Sequence, residues 1–153
     1  MLELPHTVVG AAIAAKVGNP ALALPLAFAS HFILDMVPHW NPHLNTEIRE
    51  KGKLSVTTNV IIVGDILLSL VGGLLIASTA LPNQEAFTVI ILGALMGVLP
   101  DALEAPYFFL GWKYPFVEKL LKFQKVIQND ANPFLGLATQ VLTIIACFWW
   151  IFG

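Results

Sequence analysis

Charge is scarce in this chain of 153 residues: Asp, Glu, Lys and Arg together make up 12% of it, about half of the ~25% usual in soluble domains. A surface that poor in charge does not suit a water-soluble domain. Cations do not outnumber anions, and the net charge of −2 excludes a dominant nucleic-acid field. The single cysteine, Cys147, rules out an intramolecular disulfide, and its place in the run TIIACFWW makes it a packing residue. Period-two alternation is missing from the apolar runs, which are also too long for strands. No Gly-x-Ser-x-Gly elbow occurs, and Cys147 lies near the end of the chain, away from every histidine. A serine or cysteine nucleophile is therefore excluded. The start of the chain, from Met1 through Glu3 and Pro5, has neither a basic n-region nor a small-residue cleavage site. The first apolar segment is expected to be retained rather than removed as a leader.

What remains is apolar. With 57% hydrophobic residues and a mean hydropathy of +0.77, the chain reads as a single integral membrane domain over residues 1–153. Its apolar stretches run from His6 to Val17, Ala21 to Val37, Asn59 to Leu81, Phe87 to Leu110 and Pro133 to Phe152. A helix crossing the hydrocarbon core needs about 20 residues, so the last four are expected to span and the first to form a short or re-entrant helix. The predicted fold is an all-α polytopic bundle of four spanning helices plus one short N-terminal helix.

Two polar loops set the expected orientation. Arg49, Lys51 and Lys53 lie between Asn41 and Thr58, and Lys113, Lys119, Lys122 and Lys125 lie between Gly111 and Asn132, whereas the turn Pro82-Asn83-Gln84-Glu85 has no cation. Positive loops stay inside, which puts both on the cytoplasmic face of an inner membrane. Within the second loop, VEKLLKFQKVIQ alternates lysines with Val117, Leu120, Leu121, Val126 and Ile127. That pattern suits either a helix on an anionic membrane surface or a solvated connector. Trp112, Tyr107 and Tyr114 at one boundary and Trp149 and Trp150 at the other fit interfacial belts.

Against this background, His31, Asp35, Asp65, Asp101 and Glu104 stand out, because they sit inside apolar stretches. An isolated ionisable group near a bilayer centre costs on the order of 3 kcal/mol, so something must neutralise them. His31 and Asp35 are four residues apart and share a helix face, as do Asp101 and Glu104 three apart. Pro38 should end the second helix and let His39 fold back toward that face. Counted at the helical rise, Asp65 lies about 9 Å from the cytoplasmic end of its stretch, and Asp35 and Asp101 lie about 22 Å from the opposite end. In a core about 30 Å thick all three reach a common depth, roughly 8 Å below the inner boundary. His6 reaches the same layer if its segment starts on that side.

Imidazole nitrogens and carboxylate oxygens from several segments form a ligand set suited to zinc, or to manganese or iron where oxygen predominates. The expected metal ligands are His6, His31, Asp35, Asp65 and Asp101, and their number allows one ion or two. Gly93 and Gly97 form a GxxxG that permits a neighbouring helix to approach beside Asp101. A short internal similarity between AFASHFILDMVPHW and LGALMGVLPDALEAP superposes Asp35 on Asp101, in the manner of sites built at a repeat interface. Structural roles compete at individual positions: Asp101 after Pro100 and Glu104 three residues on could form a capping box, Asp65 could partner a neighbouring backbone, and His43 reads as surface.

The runs LPHTVVGAAIA, HFILDMVPHW and GALMGVLPDALEA resemble the membrane-bound metal-dependent hydrolases of the YdjM type. The His-x-x-x-Asp spacing is more distantly similar to that of zinc-dependent phospholipases C. The resemblance spans about the first 110 residues and implies an N-terminal histidine before a small-residue helix, matched by His6 and Gly10, and an acid after Leu-Pro, matched by Asp101. It departs where that family often repeats an acid soon after Leu-Pro-Asp, since this chain has Ala102, Leu103 and Glu104. Taken with the buried ligands, it leads to the expectation of a membrane-embedded metallohydrolase. The substrate would be a lipid ester or phosphoester, with His39 or Glu104 as general base or acid. A small cation or proton transporter using the same side chains is the rival from another class, and an interaction protein whose polar groups merely join helices is a third. Membrane lipid is the expected partner, and homo-oligomerisation stays open.

Overall fold

A computed structural model describes residues 1–153 as seven helices without a sheet: α1 (Glu3–Val17), α2 (Pro20–Asp35), α3 (Leu44–Lys51), α4 (Val56–Ser78), α5 (Gln84–Leu110), α6 (Pro115–Ile127) and α7 (Pro133–Phe152). Local chemistry sets the helix starts. Asn19, Ser55, Asn83 and Asn132 each accept a backbone N–H of the turn they open, and Pro20 and Pro133 occupy first-turn positions where a missing N–H costs nothing. Gly18, at φ +70°, supplies the left-handed residue that ends α1 and lets α2 return beside it.

The fold is all-helical, as the sequence indicated. Three helices, α4, α5 and α7, are long and apolar enough to cross a membrane, where four were expected. The shortfall is α2. Its 16 residues rise only about 24 Å, because the Asn19-Pro20 start and the turn before Pro38 cut it below the ~20 residues a crossing needs. Helices α1 and α2 instead form a hairpin inserted among the longer helices. Much of α4 and α7 is lined on the outside by exposed leucine, isoleucine and valine, including Leu67, Leu74, Leu142 and Ile145, as a lipid-facing belt would be.

Helix α1 occupies the centre and packs against α2, α4, α5 and α7. Its buried side is built from Gly10, Ala11, Ala12 and Ala14, and these join Ile76, Ala77, Ile90, Ala94 and Cys147 in the apolar core. A Cβ on Gly10 would meet the Gly93 carbonyl, and one on Gly97 would meet the His6 carbonyl. The two backbones touch there, and only glycine permits it.

The loops at the site end of the bundle are tied together. The Asn129 N–H donates to the Asp35 carbonyl at 3.0 Å, His39 N–H to the Asn129 carbonyl at 3.1 Å, and Ala131 N–H to the His39 carbonyl at 2.8 Å. From α7, Gln140 Nε2 donates to the Trp40 carbonyl at 2.9 Å. The turn after α2 is thereby fixed against the start of α7. Helix α6 lies over this end against α5 and α2, with Val117 and Gln124 buried and Val126 83% exposed.

Candidate metal centre

Two of the histidines at the site, His31 and His39, are oriented by backbone carbonyls. His31 Nδ1 donates to the Gly97 carbonyl at 2.8 Å, and His39 Nδ1 to the Val37 carbonyl at 2.8 Å. A carbonyl only accepts, so both Nδ1 atoms carry hydrogen and both Nε2 atoms are left to face the site. This is how ligand histidines are usually held, with the second nitrogen anchored outside the site. The His6 ring stacks on that of His31, with centroids 3.9 Å apart.

The donor atoms converge. His31 Nε2 stands 3.3 Å from Asp101 Oδ1 and 3.5 Å from Asp35 Oδ2, and His6 Nε2 stands 3.4 Å from Asp35 Oδ1. Tetrahedral ligands about 2.0–2.1 Å from a zinc ion are themselves about 3.3–3.4 Å apart. The three observed separations, which are also those of His–Asp ion pairs, match the spacing of ligands around one small cation. His6, His31 and Asp101 together form a group that could hold a metal ion, all three ligand atoms lying within 4.8 Å of one another. His39 Nε2 lies 3.9 Å from Asp35 Oδ1, and the Met1 amine bonds to Asp35 and lies 3.5 Å from His6 Nε2.

Burial makes this arrangement costly for every donor or acceptor left unpaired. His6, His31, Asp35 and His39 are fully buried, and Asp35 Oδ2, His39 Nε2 and His6 Nδ1 have no hydrogen-bond partner. An unpaired buried polar group costs about 1–3 kcal/mol, more if charged. At His39, which lies in the turn beyond α2, burial followed by the nearby Met1 amine lowers the imidazole pKa. The ring is neutral at pH 7 and its Nε2 lone pair is free.

The remaining sequence candidates divide. Asp65 accepts the N–H groups of Glu3 at 2.6 Å and Leu4 at 3.1 Å. Leu2 gives α1 no side-chain cap, so a carboxylate on α4 supplies it from another helix. Glu104 is 6% exposed with Oε1 unpartnered, one turn beyond Asp101, and both residues line a cavity between α4 and α5. Asp101 itself is 25% exposed to that cavity. His43 is exposed, as a surface residue should be.

Three site residues had no place in the sequence reading. Gln124 Nε2 donates to His31 Nε2 at 2.9 Å and to Asp101 Oδ1 at 2.8 Å, bridging two of the donor atoms. Its signal was available: Val117, Leu121 and Gln124 are spaced as one helix stripe, and Gln124 is the polar member of it. Glu3 lines the same cavity as Asp101 and lies one turn before His6, the same three-residue spacing that singled out Asp101 and Glu104. Gln140 Oε1 accepts the Leu2 N–H at 2.9 Å, a contact between remote segments that no local pattern encodes. No protein-family model, curated protein or solved structure matches this chain.

Proposed function

We propose that this protein is a membrane-embedded metal-dependent hydrolase acting on a lipid ester or phosphoester, with its site toward the cytoplasmic face of an inner membrane. The observation that carries this reading is the meeting of His6, His31 and Asp101 at ligand distances around the buried, half-unpartnered Asp35. His6, His31 and Asp101 would hold one divalent cation, zinc by their nitrogen content, and the spare acids Glu3 and Glu104 would leave room for a second. A cation there would supply a water acidified toward neutrality. The chain's own residues do the rest. His31 and His39 are fixed by backbone carbonyls; His39 Nε2 would take a proton, and Glu104 would return one to the leaving group. The lysines of the loops around the site favour the cytoplasmic side and an anionic lipid. The resemblance to YdjM-type hydrolases, carried by His6, His31, Asp35 and Asp101, points the same way.

Transport is the weaker reading. The polar groups gather at one end of the bundle, and beyond them Val8, Ala11, Ala12, Ile76, Ile90 and Ala94 close the interior with apolar side chains. A proton or cation relay needs polar groups across the whole thickness.

The deciding experiment pairs elemental analysis of the purified protein with hydrolysis of labelled phospholipids. At least one equivalent of zinc, manganese or iron is expected, with both metal and hydrolysis lost in Asp35→Ala. Metal-free wild-type protein, or flux across liposomes in place of hydrolysis, would sink the assignment.

A further inference from the structure

The cavity beside the metal centre holds about 680 Å³, well within the ~300–1,000 Å³ of small-molecule sites. Helices α4 and α5 are its walls, and Glu3 and Thr7 of α1 lie at its floor. Its two ends differ in chemistry.

Away from the metal centre the walls are apolar. Ile66, Leu70 and Leu74 form one stripe on α4, facing Leu95 and Val98 on α5. From Ile66 to Leu74 the stripe rises about 12 Å. Ile66, Leu70, Leu74 and Leu95 each keep 44–55% of their surface exposed, so the groove is open along its side. Both walls are helices fit to span a membrane, and a side opening between two such helices faces hydrocarbon. The abundant apolar solute there is a lipid acyl chain.

At the other end the cavity reaches Asp101, Glu104 and Gln124, then the loop around His43. Lys125 is the one lysine or arginine on the whole wall, and it follows Gln124, whose amide touches both His31 and Asp101. Lys125 can pair there with an anionic headgroup, and it gives a neutral ester nothing.

We propose that this cavity is a lateral acyl-chain groove: an anionic lipid phosphoester enters from the bilayer between α4 and α5, its chain along Leu70 and Leu74 and its phosphate between Lys125 and the metal ligands. This rests on the hydrolase reading for the chemistry but not for the binding. It separates lipid substrates by chain length and by headgroup charge.

The test uses full-length protein and three probes: a phospholipid with a photoreactive palmitoyl chain, its dibutyryl analogue, and a neutral carboxylic ester of the same chain. Photolabelling is expected on α4 and α5 between residues 66 and 98, and Leu70→Trp or Val98→Trp should remove it while retaining metal. Where turnover is measured, those two variants should lower kcat/KM for the palmitoyl probe relative to the dibutyryl one by about tenfold, the scale on which apolar pockets discriminate. Lys125→Gln should raise KM for the phosphoester and leave the neutral ester unaffected. Labels falling on α7 or α2, or an unchanged chain-length ratio in both tryptophan variants, would overturn the groove even if hydrolysis is confirmed. Labelling in the groove without any turnover would keep it and reject the hydrolase.

Discussion

Helix α5 meets its two neighbours in opposite ways. Toward α1 it presents Gly93 and Gly97, and its backbone lies directly on Gly10 and the His6 carbonyl. Toward α4 it touches Gly73 through Ala94 and otherwise presents Leu95 and Val98 to the cavity. The closed face is where position matters most, since the Gly97 carbonyl anchors His31 Nδ1 while its Cα lies against the His6 backbone. One glycine thereby sets where both imidazoles stand. The open face has no such demand, and its large side chains are free to line a passage. Glycine marks the seam that cannot give, and leucine the flank that need not close.

The largest effect should come from breaking the seam. Gly97→Val forces α1 away from α5, because its side chain would meet backbone rather than a yielding side chain. Unfolding in detergent should be easier by about 3 kcal/mol, the upper end of ordinary overpacking, and bound metal should be lost with the displacement of His6. Thermal denaturation together with elemental analysis checks this; a Gly97→Val protein of wild-type stability and metal content would refute the seam's role.

Asp65→Ala tests a milder support of the same helix. It strips the acceptor from the Glu3 and Leu4 amides, and the loss should be about 1–2 kcal/mol, as for other helix caps. Metal should remain at wild-type level. Loss of metal with unchanged stability would instead make Asp65 a ligand.

On the open flank, Leu74→Ala should change stability by no more than about 0.5 kcal/mol, since Leu74 is 53% exposed to the lipid side. A large destabilisation there would erase the contrast between the two faces.

The smallest effect lies outside both. Glu47 of α3 has its pKa lowered from 4.5 to about 2, chiefly by hydrogen bonding with the Thr58 side chain and then with Lys51. A depressed carboxyl pKa stabilises above the unfolded value and ceases to as pH falls through the folded one. Amide protection in residues 44–58 should therefore decline between pH 4.5 and 2, and Glu47→Gln should abolish that dependence in hydrogen exchange.

Much of this was legible from local rules. The bounds of α7 follow from Pro133 and the apolar run to Phe152. The pairing of His31 with Asp35 follows from helical periodicity, and the seam from Gly93 and Gly97. Other features depended on which segments meet. The carboxylate of Asp65 is apolar-embedded in any reading, yet its partners are amides of α1 that only the tertiary fold brings to it. Gln124 belongs to a helix that, by its lysines, reads as a surface element, and its burial appears only when α6 settles over α2 and α5. The length of α2 was overcounted because hydropathy carries on to Val37 while the helical hydrogen bonding ends at Asp35.

The bonds joining residues 35 and 39 to residues 129 and 131 fasten the middle of the chain, α3 to α6, into a closed circuit whose two feet stand side by side. The exposed segment around α3 carries no part of that clasp. A protease nick there would divide the polypeptide without dispersing it, leaving two pieces that still present one intact set of histidines and acids.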